Sequence, residues 1–370
     1  MKKLYLFFRS NKDPKVFIKI IISIVVLLVS YHGIMWNLFT KELLHTECPQ
    51  YVGDLARMSY QPNSVYLRKC NDYTLEKKHT EFSYVKKGNY DILTFGDSFS
   101  NGVTQGKNQY YQDYIIKDYN KTVINVANVK LTLNYTDTIL ALLNTKILED
   151  LNIKMIVIES IERYAVQRFT TPIKWNNNIS RASFEKQLSL EVRNKKKSTI
   201  TFINNGNYKV ISNYLLYSIK DKPFKNTNVY VSTLNENLFS VTNANKLLHY
   251  REDTQNIPYS NQYSINNLND NLNHLANILK VHNIKLVFMP VVDKYNLYSP
   301  YISNNTFPKS NFFELLTPLT KQYYFVNTKQ ILSKLLPKEK DIFYADDTHW
   351  TNKASQEVVK SIPFDKLLNN

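Results

Sequence analysis

Only seven glycines and two cysteines occur in 370 residues. Cys48 and Cys70 form no CxxC pair and no metal-type spacing, which excludes a cysteine zinc site. Zinc-finger spacing is missing, as is a basic helix carrying base-reading polar side chains. A formal net charge of +16 therefore does not make the chain a nucleic-acid binder. No internal repeat is evident, and histidines number only seven, so imidazole chemistry has few candidates. One further absence is local. From Ile20 to Leu38 there are nineteen residues without Asp, Glu, Lys or Arg.

That uncharged stretch is about long enough to cross a bilayer core. Tyr31 and Trp36 lie toward its far end, where interfacial aromatics sit. Residues 1–19 carry Lys2, Lys3, Arg9, Lys12, Lys15 and Lys19 against Asp13, a charge of +5, which leaves +11 for the rest. A basic head before the span places the N-terminus in the cytoplasm and the remainder outside, periplasmic or extracellular. The span is long for a signal-peptide core and no small-x-small cleavage site follows, so it reads as a single-pass anchor over 20–38. Outside the cytoplasm Cys48 and Cys70 are expected to form a disulfide. It closes a loop of about twenty residues and is worth roughly 3 kcal/mol on the chain-entropy model. The residual positive charge favours anionic partners such as acidic glycans or membrane headgroups.

Residues 39–88 show little regular pattern and read as a connector. From 89 to 370 apolar runs alternate with helical stretches. The runs are Ile92–Phe95, Val123–Val126, Met155–Ile158 and Leu286–Met289, with a weaker one at Tyr323–Val326. The helical stretches are Tyr110–Tyr119, Thr136–Leu151 (capped by Thr136 or Asp137), Asn267–Val281 and Thr328–Leu336. This alternation predicts an α/β domain with a parallel sheet and helices on both faces, whose ligands bind at the carboxyl ends of the strands. About 165–253 breaks the rhythm. It is polar and basic, includes Lys195-Lys196-Lys197, and reads as an insertion, either a lid or glycan-facing surface or a solvated elaboration.

Two stretches carry chemistry. Asp91-Ile92-Leu93-Thr94-Phe95-Gly96-Asp97-Ser98 is a buried strand that ends at a glycine and presents a serine. A serine there is a nucleophile if a base reaches it, and its own N–H can stabilise an oxyanion. Six histidines make poor bases: His32 lies in the span, His45 and His79 in the connector, His249 in the insertion, and His274 and His282 on or just after a helix. His349 lies in Phe343-Tyr344-Ala345-Asp346-Asp347-Thr348-His349-Trp350, after a short apolar strand and before a helical stretch (Lys353–Ile362). Asp346 or Asp347 can orient it as a base for Ser98.

Gly96-Asp97-Ser98-Phe99 and Asp346-Asp347-Thr348-His349-Trp350 resemble the signature blocks of the SGNH/GDSL hydrolase superfamily. The likeness is nearest to its membrane-anchored, polysaccharide-modifying branch, the alginate O-acetyltransferase-like (AlgX/AlgJ-type) and DltD-like proteins. Ile158-Glu159-Ser160-Ile161-Glu162-Arg163 and Met289-Pro290-Val291-Val292-Asp293-Lys294-Tyr295-Asn296-Leu297-Tyr298 resemble that branch's acidic-Arg block and its P-x-K-x-x-x-Y strand end. The resemblance covers roughly 91–362 outside the insertion and implies a three-layer, flavodoxin-like SGNH domain. It further implies a Ser98 acyl-enzyme and O-acyl, above all O-acetyl, transfer to a cell-surface polysaccharide. A membrane O-acyltransferase partner would supply the acyl group, with no cofactor or metal. Gly96, Asp97 and Asn128 would line the oxyanion region, with Arg163 and Lys294 toward the glycan. Two features depart from the superfamily pattern. The second block has no glycine and the third, at Glu159–Glu162, no asparagine. The usual Asp-x-x-His spacing selects Asp346 and the D-x-H-W spacing Asp347; the order of the blocks favours Asp346. The same residues also suit a carbohydrate esterase or a catalytically inactive glycan-binding protein.

Overall fold

The computed structural model describes residues 14–40, 53–60, 74–82, 87–101, 109–126, 134–175, 179–186, 202–204, 206–219 and 228–369. Cys48, Cys70, Gly102, Asn128 and the lysine run at 195–197 lie outside them.

In chain order the elements that matter here begin with helix α1 (Pro14–Met35) and helix α2 (Asp54–Ser59), followed by strands β1 (Thr80–Glu81) and β2 (Ile92–Phe95). Then come α3 (Tyr111–Tyr119), β3 (Val123–Val126), α4 (Tyr135–Asn144), β4 (Met155–Ile161), α5 (Glu162–Thr170) and α6 (Gly206–Ile219). The hairpin β5 (Val229–Thr233) and β6 (Lys246–Tyr250) follows. The chain closes with α7 (Gln262–Val281), β7 (Lys285–Val291), α8 (Lys294–Tyr298), β8 (Tyr324–Phe325), α9 (Thr328–Ser333) and α10 (Asn352–Lys360).

Six strands form one parallel sheet in the order β1-β3-β2-β4-β7-β8. Parallel strands are covered on both faces, so they read as unbroken apolar runs. All four residues of β2 and all seven of β4 are buried. The covering helices fall into two packed sets: α3, α9 and α10 touch one another in turn, as do α4, α5 and α7. Strand β7 touches α7 from one set and α9 from the other, which puts a layer on each face. The chain leaves β2 for β3 on one side and returns to β4 on the other. The carboxyl end of β2 is thus the point where strand order reverses, the position at which open α/β sheets bind ligands.

Helix α1 is long and apolar enough to span a membrane or to act as a signal sequence, and its flanks are bare, with Leu27 69 % exposed.

Several local expectations are corrected. Asn134, not Thr136 or Asp137, caps α4: its side chain accepts the Asp137 N–H at 2.8 Å, while the Asp137 carboxylate accepts from Lys174 N. The helix expected to run on to Leu151 breaks at Lys146, which sits at φ 59°, and resumes at Ile147–Asp150. No strand precedes the His349 loop; Phe343 makes only an isolated bridge to Trp350. Residues 165–170 complete α5 and do not open the inserted stretch.

Candidate active site

The turn after β2 is built by close approach. A Cβ at Gly96 would stand 2.0 Å from Ser100 Oγ and 2.2 Å from Glu159 Oε2, so only glycine fits. Glu159, buried at the end of β4, accepts from Asp97 N at 3.0 Å and from Ser100 Oγ at 2.9 Å. Asp97 turns its carboxylate inward. Oδ1 accepts the Phe99 N–H at 3.2 Å, while Oδ2 accepts Ile161 N–H at 3.0 Å and Arg168 Nη1 at 2.5 Å. These bonds fix the backbone on either side of Ser98 and leave its side chain facing the other stretch singled out above. Among the described residues, none accepts a hydrogen bond from Ser98 N–H.

His349 meets it. Its Nε2 lies 2.6 Å from Ser98 Oγ, and its Nδ1 lies 2.5 Å from Asp347 Oδ1. The Phe99 ring packs on the imidazole at 4.7 Å between centroids and on Trp350 at 5.3 Å, walling the pair from one side. Asp347 is therefore the acid behind the histidine, and the preference for Asp346 is corrected. The reason is a local turn. His349 N–H donates to Asp347 Oδ1 at 3.0 Å, an Asx-type contact two residues on that folds the carboxylate over its own loop and under Nδ1. Asp346 points the other way, accepting Gly53 N–H at 2.7 Å.

The loop is clamped from two directions. From below, the Lys294 ammonium, 1 % exposed, donates to three backbone carbonyls: Tyr344 at 2.7 Å, Ala345 at 3.0 Å and Asp347 at 3.0 Å. From outside, α2 lies against it. Asp54 N–H donates to Asp347 Oδ2 at 2.9 Å and Ala56 N–H to the Asp346 carbonyl at 3.1 Å. The Asp54 carboxylate accepts Thr348 N–H at 2.8 Å and Thr348 Oγ1 at 2.5 Å. Gly53 is the second enforced glycine, since a Cβ there would stand 2.0 Å from the Asp346 carbonyl oxygen.

The electrostatics follow from this packing. Burial works against an imidazolium at His349, but the carboxylates of Asp347 and then Asp54 outweigh it and raise its pKa. Burial and the neighbouring Asp347 raise Asp54. At Asp97, burial is overcome by the Arg168 guanidinium and the carboxyl is held below its ordinary value. Glu159 is driven well above its ordinary value by burial and then by Asp97. Burial lowers Lys294 to about 8.

The remaining expected site residues do not converge here. Arg163 is committed to Asp293 at 2.6 Å and Asp253 at 3.1 Å inside the fold. Lys294 holds the loop backbone and is closed to a glycan. Asn128 lies outside the described residues. Of the passed-over histidines, His79 is buried between Asp113 at 2.7 Å and Glu81 at 3.2 Å. His249 is buried beside Ser232 at 3.1 Å, and burial lowers it to about 3. Three residues of the site carry no sequence signal in isolation: Gly53 and Asp54 in a patternless connector, and Arg168, whose tie to Asp97 spans 71 residues; Glu159 stands in the acidic block, but its place beneath the turn is not read from it. Glycine scarcity is the one hint that was available, since Gly53 and Gly96 are two of seven.

Asp54, Asp347 and His349 present three ligand atoms within 4.8 Å of one another. A metal bound by two ligands at about 2 Å from each needs them further apart than the 2.5 Å between Nδ1 and Oδ1. The trio is therefore a hydrogen-bonded set. A chain of serine, imidazole and carboxylate in this geometry can take the hydroxyl proton as the oxygen attacks a carbonyl. No family model and no curated protein matches this chain.

Proposed function

We propose that the chain is an extracytoplasmic serine-dependent acyltransferase, anchored by α1, that moves an acyl group, foremost acetyl, onto a hydroxyl of a cell-surface polysaccharide. The observation that carries this reading is the continuous Ser98–His349–Asp347 hydrogen bonding, at 2.6 and 2.5 Å, at the carboxyl edge of a parallel sheet. The signature-like blocks around Ser98 and His349, and a sheet whose strands from β2 onward run in a flavodoxin-like order, support an SGNH-type domain.

In the first half-reaction Ser98 Oγ attacks the acyl carbonyl carbon and His349 Nε2 takes its proton. Asp347 holds Nδ1–H, fixing the tautomer and balancing the imidazolium. The Ser98 N–H faces the developing oxyanion. The leaving group departs with the proton from His349, and the acyl group stays on Ser98. In the second half, His349 takes the proton of a sugar hydroxyl, the sugar oxygen attacks the acyl-enzyme, and Ser98 recovers its proton. Water in place of the sugar gives hydrolysis, so the acceptor decides between transferase and esterase.

The test is a mass measurement on the full chain in detergent, incubated with p-nitrophenyl acetate and mapped by peptide. The proposal expects one acetyl on the Ser98 peptide and none in Ser98→Ala. It also expects faster loss of the adduct when a polysaccharide acceptor is added, with the acetyl recovered on sugar. Free acetate released at a rate indifferent to acceptor makes the chain an esterase. Acetylation that persists in Ser98→Ala overturns both.

A further inference from the structure

The connector between the apolar helix and the α/β domain reaches the catalytic loop, and no motif for Ser98 or His349 accounts for it. Helix α2 is only six residues long, yet each of its first three residues engages something different. Asp54 bonds the His349 loop, Leu55 packs with Val229, Val231 and Leu248 of the β5–β6 hairpin, and Ala56 packs with Met35 at the end of α1 and Val210 of α6. The contact with the loop is reciprocal. Backbone N–H groups of Gly53 and Asp54 hold the two loop carboxylates, and the Asp54 carboxylate holds the Thr348 N–H and hydroxyl between them. The second Asp54 oxygen stands 3.9 Å from His349 Nδ1.

We propose that Asp54 is a positioning residue for the base: a second carboxylate, supplied by the segment that follows the apolar helix, which holds the His349 loop closed and favours the imidazolium. This rests on the reading of Ser98 and His349 as nucleophile and base. Asp347 alone orients Nδ1. Asp54 sits behind Thr348, its oxygen 3.9 Å from Nδ1 and its side chain 22 % exposed, too far for a hydrogen bond but close enough for its charge to act on the buried imidazole. The other groups facing the imidazole are Asp347 of the same loop and Ser98 and Asp97 of the β2 turn, the latter neutralised by Arg168 of α5. Lys294 of α8 faces the loop from below and bonds its backbone. Among the described residues, Asp54 is thus the one carboxylate at His349 that comes from outside the α/β domain.

Two readouts test this on the full chain in detergent. The first is the titration of His349 followed by NMR of nitrogen-labelled histidine, which needs no turnover. The second is the rate at which a fluorophosphonate probe labels Ser98 across the same pH range. Asp54→Asn keeps the size and an oxygen for the Thr348 N–H, turns the contact with the Thr348 hydroxyl into one in which the amide donates, and removes the charge. Its His349 midpoint is expected about one pH unit lower, with the labelling midpoint moving in step. Asp54→Glu, which keeps the charge, is expected to hold the midpoint near that of the native chain. If Asp54→Asn does not fold, Asp54→Ser is the second neutral variant and carries the same expectation. Slower labelling with an unmoved His349 midpoint makes Asp54 purely structural and overturns the proposal. A His349 shift with no Ser98 labelling in the native chain upholds Asp54 and overturns Ser98 as nucleophile, so the two failures are separable.

Discussion

Asp346 and Asp347 are adjacent, both buried, and divided in their work. Asp347 places one oxygen under His349 and gives the other to Asp54 N–H, whereas Asp346 receives Gly53 N–H and never touches the imidazole. Asp347→Asn keeps the shape but presents the wrong partner to Nδ1–H, and the serine labelling rate is expected to fall by about 10³ to 10⁴. Asp346→Asn keeps an oxygen for Gly53 and is expected to cost about tenfold or less; the two labelling rates, measured side by side, check the division. The sequence narrows the acid to this pair but cannot separate its members by spacing. The choice is made by the backbone, through the His349 N–H contact that curls the Asp347 side chain over the loop. Ser98, Gly96 and His349 were legible because each ends or follows an apolar run. The roles of Glu159 and Arg168 were not, because each depends on a contact with Asp97 more than sixty residues away, one from a strand and one from a helix.

At the scale of elements, legibility follows burial and length. Strands β2, β3, β4 and β7 announce themselves because parallel strands covered on both faces are continuously apolar. Helix α7 announces itself through a long amphipathic stripe ending in Leu272, Leu275 and Leu279. Helix α2 does not, since six residues hold less than two turns and its packing partners are distant in sequence. Helix α8 is shorter still, but its first residue governs the site. Lys294 projects from the carboxyl end of β7 into the crook of the His349 loop, where its three donors are all matched by carbonyls. Lys294→Met removes those donors and leaves buried carbonyls unsatisfied. The expected cost is about 2–4 kcal/mol, read as a lower urea midpoint at unchanged slope, together with slower labelling of Ser98. Equal midpoints would mean that the loop is held without the lysine.

At the scale of the molecule, three pieces far apart in the chain meet at one point. The turn after β2 brings the hydroxyl, the loop before α10 brings the imidazole, and α2, packed on the end of α1, brings the outer clamp. An apolar helix that is long enough to span a membrane is thereby linked to the base through a single short helix. The sequence separates an apolar span, a connector and a domain. It hides that the connector belongs to the site, because nothing in a local pattern reports a contact across nearly three hundred residues. The central claim is that His349 activates Ser98. The most direct measurement is the pH dependence of fluorophosphonate labelling with the modified residue mapped, in the native chain and in His349→Gln. The expected result is an adduct on Ser98, formed at a rate that rises with pH as the imidazolium loses its proton. Because the neighbouring carboxylates raise His349, the midpoint should lie above the ordinary histidine value of about 6.5, and the rate should collapse in His349→Gln. An adduct elsewhere, or equal labelling of Ser98 without the imidazole, would contradict it.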